Sequence, residues 1–151
     1  MHRRHALSSL AMLLLTVGIS APVFAAKPVI DVFKDANCGC CTGWIKHLQD
    51  NGFSVNATNV ADTSTYRKKF QIPDALGSCH TATVGGYSIE GHVPAQDIQR
   101  LLKERPQAIG LAVPGMPAGS PGMEGPRKMA YDVILVKTDG KQTVYHHYAG
   151  S

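Results

Sequence analysis

The apolar positions of this chain switch between a two-residue and a helical period, and the switches mark out its elements. Val29-Ile30-Asp31-Val32-Phe33 is a short run rich in β-branched residues and predicts a buried strand. Cys41, Ile45 and Leu48 then recur at helical spacing with Trp44 beside them, and Asn51-Gly52 supplies the stop. Phe53 to Ala57 alternates apolar and polar residues, which predicts a second strand. A polar segment from Asp62 to Phe70, closed by Pro73, reads as a second helix. Two short strands follow, Gly77 to Val84 and Tyr87 to Gly91, joined at Gly85-Gly86 as a hairpin. Pro94 suits a first helical turn, and Ile98, Leu101 and Leu102 form the stripe of a third helix ending near Arg105-Pro106.

The resulting order is β-α-β-α-β-β-α. In a compact α/β domain that is the thioredoxin arrangement, so residues 26–106 are expected to form a thioredoxin-like core. A C-terminal extension, 107–151, is expected to pack on it. The stretch from Leu111 to Gly125 is dense in Gly and Pro and predicts a long loop. In it the triplet Pro-Gly-Met occurs twice, ending at Met116 and Met123. Loops of that length in a small domain tend to be functional or disordered. A final hairpin is expected from Tyr131 to Val136 and Thr143 to Tyr148, turning at Asp139-Gly140.

The N-terminus follows neither period. Met1-His2-Arg3-Arg4-His5 is basic, Ala6 to Val17 is apolar, and Val23-Phe24-Ala25 offers small residues at a cleavage position. This is the pattern of a bacterial secretory signal, residues 1–25, with Ala26 as the alternative cut. Thr16, Gly18, Ser20 and Pro22 interrupt the apolar run, which falls short of the roughly 20 residues of a spanning helix. The expected location is the periplasm, with no membrane segment after cleavage. Of the 15 basic residues cleavage removes Arg3 and Arg4, and it removes none of the 11 acidic ones, so the formal charge falls by two from +4. The remaining charge is small and no basic run is interleaved with aromatics, which argues against nucleic acid as a partner. A monomer is expected.

The chemistry is concentrated in Cys38-Gly39-Cys40-Cys41, which falls between the first strand and the first helix. There the unpaired N–H groups and the helix dipole favour thiolate. The fourth cysteine, Cys79, stands at the start of the third strand by element counting, which in this fold faces the same turn. Three readings compete. Cys38 and Cys41 have the Cys-x-x-Cys spacing of a catalytic disulfide, but Cys40 is then surplus. Four cysteines could hold one structural zinc, but adjacent residues on a helix diverge by about 100° and converge poorly on one ion. Divergent thiolates suit several bridged soft ions, for which Cu(I) is the natural periplasmic candidate. Purely structural disulfides are the ordinary use of an even cysteine count after export, and the adjacency of Cys40 and Cys41 argues against them. The soft thioethers of Met116 and Met123 add to the soft-ion reading, although a methionine more often serves packing. The ordinary reading of His80, His92 and His146-His147 is hydrogen-bonded structure. Of these His80 is favoured as a ligand by its neighbour Cys79.

Taken together, Cys38-Gly39-Cys40-Cys41 with Trp44 and His47-Leu48, then Ser78-Cys79-His80-Thr81-Ala82, Glu90-Gly91-His92-Val93-Pro94 and the doubled Pro-Gly-Met loop resemble the CopG-type copper-resistance proteins. The resemblance spans nearly the whole mature chain. It implies a periplasmic thioredoxin-like domain with a C-terminal extension and copper bound at the CxCC motif. It also implies interconversion of Cu(I) and Cu(II) in aid of detoxification and efflux, with periplasmic copper efflux components as partners. All four cysteines match the motif. The expectation is a copper site of more than one ion held by Cys38, Cys40, Cys41 and Cys79, with Met116 or Met123 nearby. Cys38, Cys40 and Cys41 would carry any turnover. A copper buffer or chaperone without turnover, and a thiol–disulfide oxidoreductase, are the alternatives.

Overall fold

The computed structural model describes residues 28–151. The expected signal segment, 1–25, and its cleavage site lie outside the described residues. The elements run β1 (Val29–Lys34), α1 (Gly39–Asp50), β2 (Ser54–Asn59), α2 (Thr63–Lys69), a 3-10 turn (Asp74–Leu76), β3 (His80–Val84), β4 (Tyr87–Glu90), α3 (Ala95–Glu104), β5 (Ala108–Ala112), β6 (Tyr131–Lys137) and β7 (Gln142–Tyr148). The β-α-β-α-β-β-α order read from the apolar pattern is present through α3. Among the described residues no helix is long and apolar enough to cross a membrane.

All seven strands join one mixed sheet in the order β2-β1-β3-β4-β5-β6-β7. β1 pairs with β2, and β4 with β5, in parallel; the other pairs are antiparallel. The alternation along β1 decides which face each helix covers. Ile30 and Val32 are fully buried in the main core with Trp44 and Leu48 of α1 and Ile98 and Leu101 of α3. Phe33, of opposite parity, stacks on Tyr66 of α2 with ring centroids 4.2 Å apart. α1 and α3 thus lie on one face and α2 on the other. α2 is short and polar, and its start is fixed by Asp62, whose carboxylate accepts the Ser64 N–H at 2.9 Å.

One expectation needs correction. The loop read from Leu111 to Gly125 begins later, because Leu111 and Ala112 belong to β5 and are fully buried. β5 is an inner strand, bonded to β4 on one side and β6 on the other. Its five residues, Ala-Ile-Gly-Leu-Ala, are too few and too small to stand out beside the Gly/Pro-rich stretch that follows. Gly110 is required where it is. A β-carbon there would lie 1.7 Å from the Ser88 carbonyl oxygen across the ladder. Residues after 107 therefore contribute β5, β6 and β7 to the same sheet as β1 to β4.

Candidate metal centre

β1 ends at Lys34, and Asp35-Ala36-Asn37 turn the chain so that Cys38 caps α1. The Cys38 N–H donates to the Asp35 carbonyl at 3.3 Å, while the Cys38 side chain makes no cap bond and is left for other chemistry. Cys40 and Cys41 fall in the first turn of α1. Cys41 is fully buried, and Cys38 and Cys40 are half-buried. Cys79 directly precedes β3, which runs antiparallel beside β1, so its sulfur meets the same turn.

All four cysteine sulfurs lie within 4.8 Å of one another. Cys38 and Cys41 are joined by a disulfide, and Cys40 and Cys79 are free thiols. The Cys40 sulfur is 3.3 Å from that of Cys38 and 3.7 Å from that of Cys79, and Cys79 is 3.5 Å from Cys41. Burial pushes the Cys79 thiol up to about 12, with the neighbouring Cys40 acting in the same direction.

Of the two methionines expected here, Met116 arrives and Met123 does not. The Met116 sulfur is 3.9 Å from that of Cys40, and its side chain is 51% exposed. Met123 spends its backbone on a turn, donating to the Ser120 carbonyl and accepting from the Gly119 N–H, and its sulfur makes no contact with the cysteines within hydrogen-bonding range. The loop is seated by Gly122, at φ +84°, where a β-carbon would lie 2.6 Å from both the Cys40 carbonyl oxygen and the Trp44 nitrogen. The Pro-Gly-Met loop thus rests its backbone on the first turn of α1.

Two histidines complete the cluster. His80 Nδ1 is 3.4 Å, and His92 Nε2 3.2 Å, from the Cys79 sulfur. The opposite nitrogen of each ring faces a carbonyl: His80 Nε2 meets Gly91 O at 2.9 Å, and His92 Nδ1 meets Pro121 O at 2.7 Å. A carbonyl only accepts, so those nitrogens carry the protons, and each ring turns a bare lone pair toward Cys79. Burial lowers both histidines, His80 to about 3, so the neutral form that ligates metal is the one present. Sequence reasoning favoured His80 and left His92 as structure. The signal for His92 was its place just after β4 in Glu90-Gly91-His92-Val93-Pro94, since β4 pairs with β3 and Cys79 directly precedes β3. His146 and His147 lie elsewhere, on β7, paired with Asp97 and Asp132 at 2.7 and 2.6 Å.

The turn bearing Cys79 is held from behind by a buried ion pair. Glu90, fully buried, accepts the Arg67 Nε–H at 2.8 Å and the Ser78 N–H at 2.7 Å on one oxygen. Arg67 also donates from Nη2 to the Ser78 carbonyl at 2.9 Å. Both peptide groups of Ser78 are thereby fixed. The Gly115 N–H donates to Gly77 O at 3.1 Å, and the Ser78 hydroxyl donates to Gly115 O. This clip joins the Cys79 turn to the residue preceding Met116.

Clustered thiols, imidazole lone pairs and a thioether form a donor set for a soft metal ion. The disulfide offers a second chemistry, thiol exchange. The family model described as "Protein of unknown function, DUF411" matches residues 76–123, a span holding Cys79, His80, Glu90, His92 and Met116. Two solved structures are similar to this chain. "Copper resistance protein copG- Form 1" is 49% identical with a TM-score of 0.79, covering 83% of this chain and 100% of its own. "Copper resistance protein copG- Form 2" is 49% identical with a TM-score of 0.78, covering 82% of this chain and 99% of its own. No curated protein matches.

Proposed function

Because this chain belongs to the family of copper resistance protein CopG, we propose that it is a periplasmic copper-binding protein of copper resistance that interconverts Cu(I) and Cu(II) at its cysteine cluster. The observation that carries this reading is the convergence of four cysteine sulfurs within 4.8 Å, with Met116 at 3.9 Å from Cys40. Thiolate and thioether favour Cu(I), and imidazole also suits Cu(II), so the residues present fit both oxidation states. Cys38, Cys40, Cys41 and Cys79 would hold more than one ion by bridging. His92 and Met116 would contribute from the side of the extension.

The fold reading that accompanies this is thioredoxin-like. Its support is the sheet order β2-β1-β3-β4, with β2 parallel and β3 antiparallel to β1, and a cysteine turn between β1 and α1. The leader-like N-terminus supports the periplasm, where copper efflux components would be the recipients.

Electron bookkeeping links copper to the disulfide. Opening Cys38–Cys41 takes up two electrons, and each Cu(I) gives up one on becoming Cu(II). One disulfide therefore balances two copper ions, and two Cu(II) ions would close the dithiol in reverse. The disulfide also favours a second reading, a thiol–disulfide oxidoreductase in which Cys79 is dispensable. The deciding experiment adds substoichiometric protein to Cu(I) in air and to Cu(II) with a mild reductant. Change in the oxidation state of excess copper faster than in the protein-free mixture supports turnover. Change limited to the protein-bound equivalents means a buffer or chaperone. Reduction of a model disulfide by pre-reduced, metal-free C79S, with Cys38 and Cys41 closing to a disulfide in exchange, would favour the second reading.

A further inference from the structure

With Cys38 and Cys41 closed as a disulfide, two thiols, the imidazoles of His80 and His92 and one thioether remain free in the cluster. We propose that the Cys40 and Cys79 thiols, with Met116 beside the first and His92 beside the second, form a one-ion site that persists in the disulfide form, so that the Cys38–Cys41 pair sets how many soft metal ions the chain holds. This rests on the reading that the cluster binds copper.

Thiolate is the ligand, so the disulfide withdraws two of the four cysteine donors. The other two keep a suitable spacing. Two sulfurs each about 2.3 Å from one tetrahedral ion stand about 3.8 Å apart, and the Cys40 and Cys79 sulfurs are 3.7 Å apart. His92 Nε2 is 3.2 Å from the Cys79 sulfur and Met116 Sδ is 3.9 Å from the Cys40 sulfur, so each thiol has one further donor beside it. The His92 lone pair is aimed independently of the disulfide, because its Nδ1–H is held by Pro121 O on the docked loop. His80 Nδ1 lies 3.4 Å from the Cys79 sulfur on the same side as His92, with its ring packed under Trp44 at 4.2 Å between centroids, whereas Met116 reaches solvent beside Cys40. Opening the disulfide adds Cys38 and Cys41 within 4.8 Å of the Cys40 and Cys79 sulfurs, which permits bridged ions in place of one. The same four-sulfur cluster thus has a low-capacity and a high-capacity state, separated by two electrons.

The test uses Ag(I), a soft ion that does not exchange electrons with the disulfide under these conditions. The chain from residue 26 is titrated with Ag(I) against a competing chelator in two forms, disulfide and fully reduced, each verified by alkylation and mass measurement. The expected result is one ion per disulfide-form chain and more than one per reduced chain. In the disulfide form C40S should lose the ion. M116L should keep the count at one with weakened affinity. C38S/C41S should hold one ion whether reductant is present or not, which keeps the test independent of the C40S result. No ion in the disulfide form with several in the reduced form overturns this proposal and leaves the copper reading standing. So does equal capacity in both forms. Absence of binding in both forms overturns the copper reading itself.

Discussion

Gly43 and Gly122 meet backbone to backbone: a β-carbon on Gly43 would stand 2.9 Å from the Gly122 Cα. This contact seats the Pro-Gly-Met loop on α1, and with it Pro121 O behind His92 and Met116 beside Cys40. G122A meets two obstacles, the left-handed φ of +84° and the Cys40 carbonyl 2.6 Å away. It is expected to lower stability by about 1–3 kcal/mol in urea unfolding. It should also weaken Cu(I) in a competition titration. If stability falls and Cu(I) affinity stays, the loop does not serve the site.

The Arg67–Glu90 pair makes a second prediction. Removing one member of a buried pair strands the other. Such losses produce about 3–5 kcal/mol. E90Q is expected near the lower end, because Asp74 still lies 4.0 Å from Arg67, and R67M higher, because it leaves the buried Glu90 only the Ser78 N–H. Replacing both residues with apolar ones of similar size should recover part of the loss. Because Ser78 loses one of its two side-chain anchors in each single variant, Cys79 should alkylate faster in them than in wild type at equal pH. Unchanged alkylation would show that the pair only stabilises the fold.

Acid stability follows from His80. Its folded value is about 3 against 6.5 for the free side chain, because burial disfavours the imidazolium. Between those values the unfolded chain holds a proton that the folded chain lacks. The neutral ring's contribution is complete above pH 6.5 and is lost as pH falls toward 3, with a slope of about 1.4 kcal/mol per pH unit. Urea unfolding of metal-free protein from pH 7 to 4 should show this slope, and H80N should flatten it by that amount. Equal slopes in the two proteins would refute the assignment.

Cys79 supplies a pH prediction at the other end. With its thiol pushed up to about 12, its thiolate fraction should rise tenfold for each pH unit through the alkaline range. Iodoacetamide labelling of Cys79 in the metal-free disulfide form, followed by peptide mass, should still be accelerating at pH 10. A plateau below pH 9 would contradict it.

What could be read from the sequence divides by range. The strands and helices up to Glu104 carry their own periodicity, and Cys79 reaches the cysteine turn because element order alone dictates that β3 returns beside β1. β5 was hidden because a short inner strand is recognised by its neighbours rather than by its five residues. Met116 and Met123 sit in identical triplets, so nothing local separates them. The difference arises from the clip between Gly115 and the Gly77-Ser78 turn, which is a long-range contact. His92 was obscured for the same reason, since the carbonyl that orients it lies on the loop at Pro121.

The donors are graded by depth. Met116 is at the surface, Cys40 and Cys79 are half-buried, and Cys41 and His92 are sealed from water. A protein that delivers an ion and one that collects it would both have to reach for Met116 and Cys40. Supplier and recipient would then compete for the same small patch and could not dock together. Traffic through such a site must alternate, with each visitor leaving before the next can load or unload.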